Sequence, residues 1–84
     1  MQDLNDLYLF AQVVEHGGFA AAGRAVGVPK SKLSRRIGAL EARLGVRLLQ
    51  RTTRRFAVTD LGQEYYRHCV AIVLLSEVEA EAAQ

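Results

Sequence analysis

Ten of the eleven basic side chains fall between residues 24 and 55: Arg24, Lys30, Lys32, Arg35, Arg36, Arg43, Arg47, Arg51, Arg54 and Arg55. Glu41 is the one acid among them. From residue 60 onward the balance reverses, with Asp60, Glu64, Glu77, Glu79 and Glu81 against Arg67 alone. A net charge of +2 over 84 residues therefore hides a strongly dipolar chain. Its basic end attracts a polyanion and its acidic end repels one. Lysine, arginine and serine hydroxyls (Ser31, Ser34) in one stretch are the groups that bind phosphate oxygens and base edges. A scattered run of this charge is ordinarily a solvated face; here it coincides with a structural motif, which favours binding.

Other chemistries find little support. His16, His68 and Cys69 are the soft metal ligands apart from Met1. His68 and Cys69 are neighbours on a helix, diverge by ~100° and cannot share an ion. Neither a metal nor any other cofactor is expected. No nucleophile stands at sensible spacing from a base, and there is no glycine-rich phosphate loop or paired carboxylate site, so no enzyme is expected. A single cysteine permits no intrachain disulfide and fits a reducing compartment. The first six residues lack the basic and apolar regions of a signal peptide, and no apolar run approaches the ~18–20 residues of a membrane span. The expected location is the cytoplasm.

The elements that must position the cations are legible. Eighty-four residues make one small domain, with a core that a second copy would help to complete. A first helix is predicted over Leu4–His16, with Leu4, Leu7, Ala11 and Val14 as its apolar stripe, widened by Tyr8 and Phe10, and stopped by Gly17-Gly18. A second runs from Phe19 to Val26; its Ala20-Ala21-Ala22-Gly23 centre is small enough for the next helix to cross closely, at a helix-propensity cost of up to ~1 kcal/mol for Gly23. Gly27 supplies the turn, and Pro29 opens a third helix whose Leu33, Ile37, Leu40 and Leu44 face inward while Lys32, Arg35, Arg36, Ala39 and Arg43 lie on the other sides. Gly45 ends it. Leu48-Leu49-Gln50-Arg51 and Phe56-Ala57-Val58-Thr59 read as strands flanking Thr52-Thr53-Arg54-Arg55, a wing with arginines at its tip.

Thr59 and Asp60 provide an N-cap and a first-turn acid for a last helix reaching Ala82, roughly 35 Å long. Leu61, Tyr65, Cys69, Ile72 and Val73 are expected to cover the core. Val70, Leu74, Leu75 and Val78 continue beyond what three small helices can bury, which points to a partner helix.

Phe19-x-x-Ala22, Val26-x-Val28, Leu33-Ser34-Arg35-x-Ile37, Leu40-Glu41-x-x-Leu44-Gly45, Leu48-Leu49-x-Arg51-x-x-Arg54 and Val58-Thr59-x-x-Gly62 follow in order. In this set, running from Leu4 to Gly62, the chain resembles the N-terminal domain of LysR-type transcriptional regulators. The resemblance implies a mainly α, winged helix-turn-helix fold with a three-helix core, a two-stranded wing and a long C-terminal linker helix. Residues 1–59 would form the DNA-binding domain and residues 60–84 the linker and dimerisation helix. It further implies a homodimer on promoter half-sites, the third helix in the major groove, a wing arginine in the adjacent minor groove, and antiparallel pairing of the last helix with its counterpart. The family's effector-binding domain, which would take a small-molecule effector, lies outside these 84 residues. Pro29-Lys30-Ser31-Lys32 replaces the family's usual Ser-Gln-Pro-Ala, so no glutamine-type base contact carries over to Lys30. Gly18 and Ala20 stand where the family commonly has hydroxyls.

The expected DNA-binding residues are Lys30, Ser31, Lys32, Ser34, Arg35 and Arg36 on the third helix and Arg51, Arg54 and Arg55 on the wing. Arg35 is the first choice for bidentate readout of guanine, with a phosphate contact as the alternative. Ser31 and Ser34 fit phosphate or mixed contacts, and Arg54 and Arg55 suit a narrow minor groove. Arg51 could pack its stem on the domain and direct its head to phosphate. Glu41 is expected to be structural, pairing with Arg36, Arg43 or another nearby base. Val70, Leu74 and Val78 are the expected dimer interface, and Cys69 belongs to the core or that interface. A winged-helix module that holds a protein instead of DNA would carry an apolar or acidic recognition surface, and an RNA binder would carry exposed stacking aromatics; neither fits as well.

Overall fold

The computed structural model describes residues 4–50 and 56–82. The elements are α1 (Leu4–His16), α2 (Phe19–Val26), α3 (Lys30–Leu44), β1 (Leu49–Gln50), β2 (Ala57–Val58) and α4 (Asp60–Ala82). All four helices fall where the sequence places them, with one shift: Pro29, at φ −58° and ψ 141°, caps α3 from outside its first turn. Among the described residues the strands pair at Leu49↔Val58 and Gln50↔Ala57, in antiparallel register; beyond them the Leu48 carbonyl accepts from the Thr59 amide, while the Leu48 amide turns to the Glu41 carboxylate.

The core is one cluster in which Phe10, Val13, Leu33, Ile37, Leu40, Leu48, Leu49 and Cys69 are fully buried. The apolar face of α1 differs from the expected stripe. Leu9 and Val13 are buried, whereas Tyr8 is exposed; the side chain of Leu4 lies outside the described residues. The reason is that α1 is packed against α2, α3 and α4 together, so its buried arc is wider than a single-face pattern implies. Phe10 meets Tyr65 edge-to-face with ring centroids 5.7 Å apart, fastening α4 to α1. Phe19 meets Phe56 in the same manner at 6.4 Å, fastening α2 to the base of the wing.

Two close approaches fix the angles between elements. A Cβ at Gly23 would stand 2.7 Å from the Val28 carbonyl oxygen, so the α2–α3 corner closes only over a glycine. A Cβ at Gly62 would stand 2.1 Å from the Leu48 carbonyl oxygen, so the first turn of α4 lies directly on the wing. Gly62 therefore takes the inward position that was expected of Leu61, which sits one residue round the helix and is 45% exposed. Thr59 caps this turn: its hydroxyl accepts from the Gly62 amide at 2.9 Å and lies 2.7 Å from the Arg47 carbonyl.

Candidate nucleic-acid interface

The outer side of α3 follows from its inner side. Leu33, Ile37 and Leu40 are fully buried, and the helical period then sends Ser31, Lys32 and Arg35 outward. Lys30, Ser31, Lys32 and Arg35 are all exposed, and Ser34 is half-buried. Five of the expected contact residues thus share the N-terminal half of one helix. Arg51, Arg54 and Arg55 lie outside the described residues. Arg24, which the sequence marked only as part of the basic stretch, is exposed and lines a hollow of about 460 Å³ with Ala20, Gly27, Pro29 and Lys30. It extends the cationic edge across the turn between α2 and α3.

The charge at this edge opposes the helix's own preference. A helix N-terminus carries a partial positive charge and is stabilised by acids in its first turn, each worth ~0.3–1 kcal/mol. α1 and α4 obey, with Asp6 and Asp60, while α2 has neither an acid nor a base in its first turn. The first turn of α3 has no acid, and its Pro29 cap offers no side-chain hydrogen bond; Lys30 and Lys32 stand there instead. Local rules broken without a structural gain are the mark of a functional surface. The end of α3 lacks an anion.

Arg36, one residue from Arg35, is placed differently. Its Nε donates to Asp6 Oδ1 at 2.8 Å and its Nη2 lies 2.6 Å from the same oxygen. Arg43, two turns along α3, donates from Nη2 to Asp6 Oδ2 at 2.9 Å. Asp6 is buried, a charged residue among core neighbours that sequence periodicity did not single out. In the sequence it reads as an ordinary first-turn acid of α1, and nothing local marks it as the partner of Arg36 and Arg43.

Glu41 is structural, as expected, but Arg36 and Arg43 bond to Asp6. Glu41 is buried, and its Oε2 accepts from the amides of Leu48 at 2.8 Å and Leu49 at 3.2 Å. It thereby holds the entry to the wing against the last turns of α3.

On the opposite side, α4 exposes Leu74, Leu75 and Val78, each more than half accessible, while Val70 is half-buried. An apolar groove of about 310 Å³ runs between Asn5 and Tyr8 of α1 and Val73, Ser76, Glu77 and Ala80 of α4. Cys69 is fully buried, and burial pushes its thiol up to about 11. Burial likewise raises the Tyr65 phenol, aided by the neighbouring Cys69. Its hydroxyl is buried with no hydrogen-bond partner among the described residues. No helix among the described residues is long and apolar enough to cross a membrane.

Residues 4–63 match the family model described as bacterial regulatory helix-turn-helix protein, lysR family. An HTH-type transcriptional regulator of Xanthomonas campestris pv. campestris is 51% identical over 81 residues, covering 96% of this chain and 23% of that protein. The HTH-type transcriptional regulator PtxR of Pseudomonas aeruginosa is 52% identical over 61 residues, covering 73% of this chain and 20% of its own length. The chain thus spans under a quarter of these relatives. Among solved structures, the BenM_DBD/catB site 1 DNA complex superposes with a TM-score of 0.82 at 34% identity, covering 98% of this chain and 86% of that one.

Proposed function

The chain belongs to the lysR family of bacterial regulatory helix-turn-helix proteins, and from that membership we propose that it binds double-stranded promoter DNA, sequence-specifically and as a homodimer, without catalysing a reaction. One observation supports this above the rest: the exposed, acid-free N-terminal end of α3, where Lys30, Lys32 and Arg35 surround a positive helix end. An α-helix fits the major groove, whose width is ~12 Å. Arg35 reads a base edge; Lys30, Lys32 and Arg24 neutralise phosphates; Ser31 and Ser34 bond phosphate oxygens or a base. Arg54 and Arg55 enter the minor groove and Arg51 meets phosphate.

Each subunit reads one half-site, so the two recognition helices meet successive major grooves on one face of the duplex. The second subunit covers the half-buried Val70 and the exposed Leu74 and Val78 of α4. Residues 1–59 are the DNA-reading unit and residues 60–84 the dimerisation helix, and the protein acts in the cytoplasm.

Anisotropy titration of a labelled random duplex across a salt series tests the reading. The affinity is expected to fall steeply with salt, each neutralised phosphate adding ~0.9 to the log–log slope. Absence of binding at low salt, or an affinity indifferent to salt, overturns it. Sedimentation tests the dimer: Leu74→Glu gives monomers that bind DNA weakly, and an unchanged dimer refutes the interface.

A further inference from the structure

We propose that Asp6 is a positioning residue for DNA recognition, fixing α3 against α1 and holding Arg36 and Arg43 away from the phosphate backbone. The proposal rests on the DNA-binding reading and deepens it. Asp6 sits in the first turn of α1, buried, with one oxygen on Arg36 and the other on Arg43. The two arginines are two turns apart on one flank of α3, so a single carboxylate grips the helix at two points along its length. Two contacts on one rod resist both its roll and its swing about α1, which one contact would not. That flank adjoins Lys32 and Arg35 on the same helix. The Arg36 and Arg43 side chains keep 35% and 50% of their surface accessible.

Without the carboxylate, the two guanidinium groups repel each other, and rotation about their long stems delivers them to phosphate. Phosphate contacts bind every sequence alike, whereas base contacts discriminate. Asp6 therefore acts on specificity as well as on packing: it decides how many of the cations on α3 bind indiscriminately. This gives Asp6 a signature that a purely structural residue lacks.

The test compares the 84-residue chain with Asp6→Asn and with the triple variant D6N/R36Q/R43Q. Anisotropy is measured across 50–200 mM salt, as an order-of-magnitude window for phosphate binding. The probes are a duplex selected from a random pool by the wild-type chain and a scrambled duplex of equal length. Asp6→Asn is expected to steepen the salt slope by about one to two, since each new phosphate contact adds ~0.9. It is also expected to lower the ratio of specific to non-specific affinity about tenfold, the scale of one misread base pair. The triple variant returns the slope to the wild-type value. A structural role alone lowers affinity without steepening the slope.

A wild-type chain that enriches no duplex from the random pool and binds no duplex at low salt overturns the DNA-binding reading and this proposal with it. A wild-type chain that binds, beside an Asp6→Asn variant with unchanged slope and discrimination, overturns the proposal alone. Should Asp6→Asn lose its helical circular dichroism, the wild-type Arg36 Nε–H resonance decides. It stays in place when DNA is added while that of Arg35 shifts; an Arg36 shift as large as that of Arg35 refutes the proposal.

Discussion

Two sides of α3 treat the same kind of residue in opposite ways. On the side that faces the rest of the molecule, each buried carboxylate takes two donors: Arg36 and Arg43 hold Asp6, and Glu41 takes the amides of Leu48 and Leu49. On the outward side Lys30, Lys32 and Arg35 are exposed at a helix end that carries no acid. Arg35 and Arg36 are adjacent in sequence, and ~100° of helical rotation separates the exposed Arg35, which we propose reads a base edge, from Arg36, which holds Asp6. Charge alone identifies neither; what distinguishes them is whether the fold has already supplied the counter-ion.

The contrast can be broken most severely at the joint between wing and α4. Gly62→Ala forces a Cβ onto the Leu48 carbonyl, for which the backbone must move. The expected loss is ~3 kcal/mol or more of unfolding free energy, read by urea denaturation. Next comes the held side of α3. Glu41→Ala strands two buried amides and is expected to cost ~2–3 kcal/mol, while Glu41→Gln, which keeps an acceptor, costs less.

A smaller effect is set by pH. The Cys69 thiol ionises near 9.0 in the unfolded chain and at about 11 when folded. Because the unfolded chain gives up the proton first, stability is unaffected below about pH 9 and declines as pH climbs to about 11. The expected decline is up to ~2 kcal/mol relative to Cys69→Ala, measured by denaturation at matched pH. Smallest is Tyr65→Phe. It removes a buried hydroxyl with no partner among the described residues and is expected to raise stability by ~1 kcal/mol, a few degrees in melting temperature. A loss instead would mean that the hydroxyl is satisfied.

The helices were legible because each announces its own ends. Gly17-Gly18, Gly27 and Gly45 stop α1, α2 and α3, and Thr59 with Asp60 starts α4, all local signals within a few residues. The outward cations of α3 were legible for the same reason, since the spacing of Leu33, Ile37 and Leu40 dictates what lies opposite. The partners of buried charges were not. Asp6 lies 30 residues from Arg36 and 37 from Arg43, and no periodicity within α1 encodes that meeting. Glu41 was read as structural through a nearby base, and its carboxylate also reaches across the α3–β1 turn to the amides of Leu48 and Leu49, groups that no side-chain pattern reveals. Gly62 takes the inward place expected of Leu61, because a stripe drawn from apolar residues cannot see that a missing side chain is what the wing requires.

The division of labour on α3 is tested most directly by two alanine variants compared side by side, Arg35→Ala and Arg36→Ala, in DNA titration and in urea denaturation. Arg35→Ala is expected to weaken binding to the selected duplex by roughly 5- to 100-fold while unfolding free energy stays within ~0.5 kcal/mol of wild type. Arg36→Ala is expected to lose ~1–2 kcal/mol of stability, because it takes one partner from a buried carboxylate. If Arg35→Ala binds DNA as tightly as the wild-type chain, the outward face of α3 is not the reading surface and the account fails.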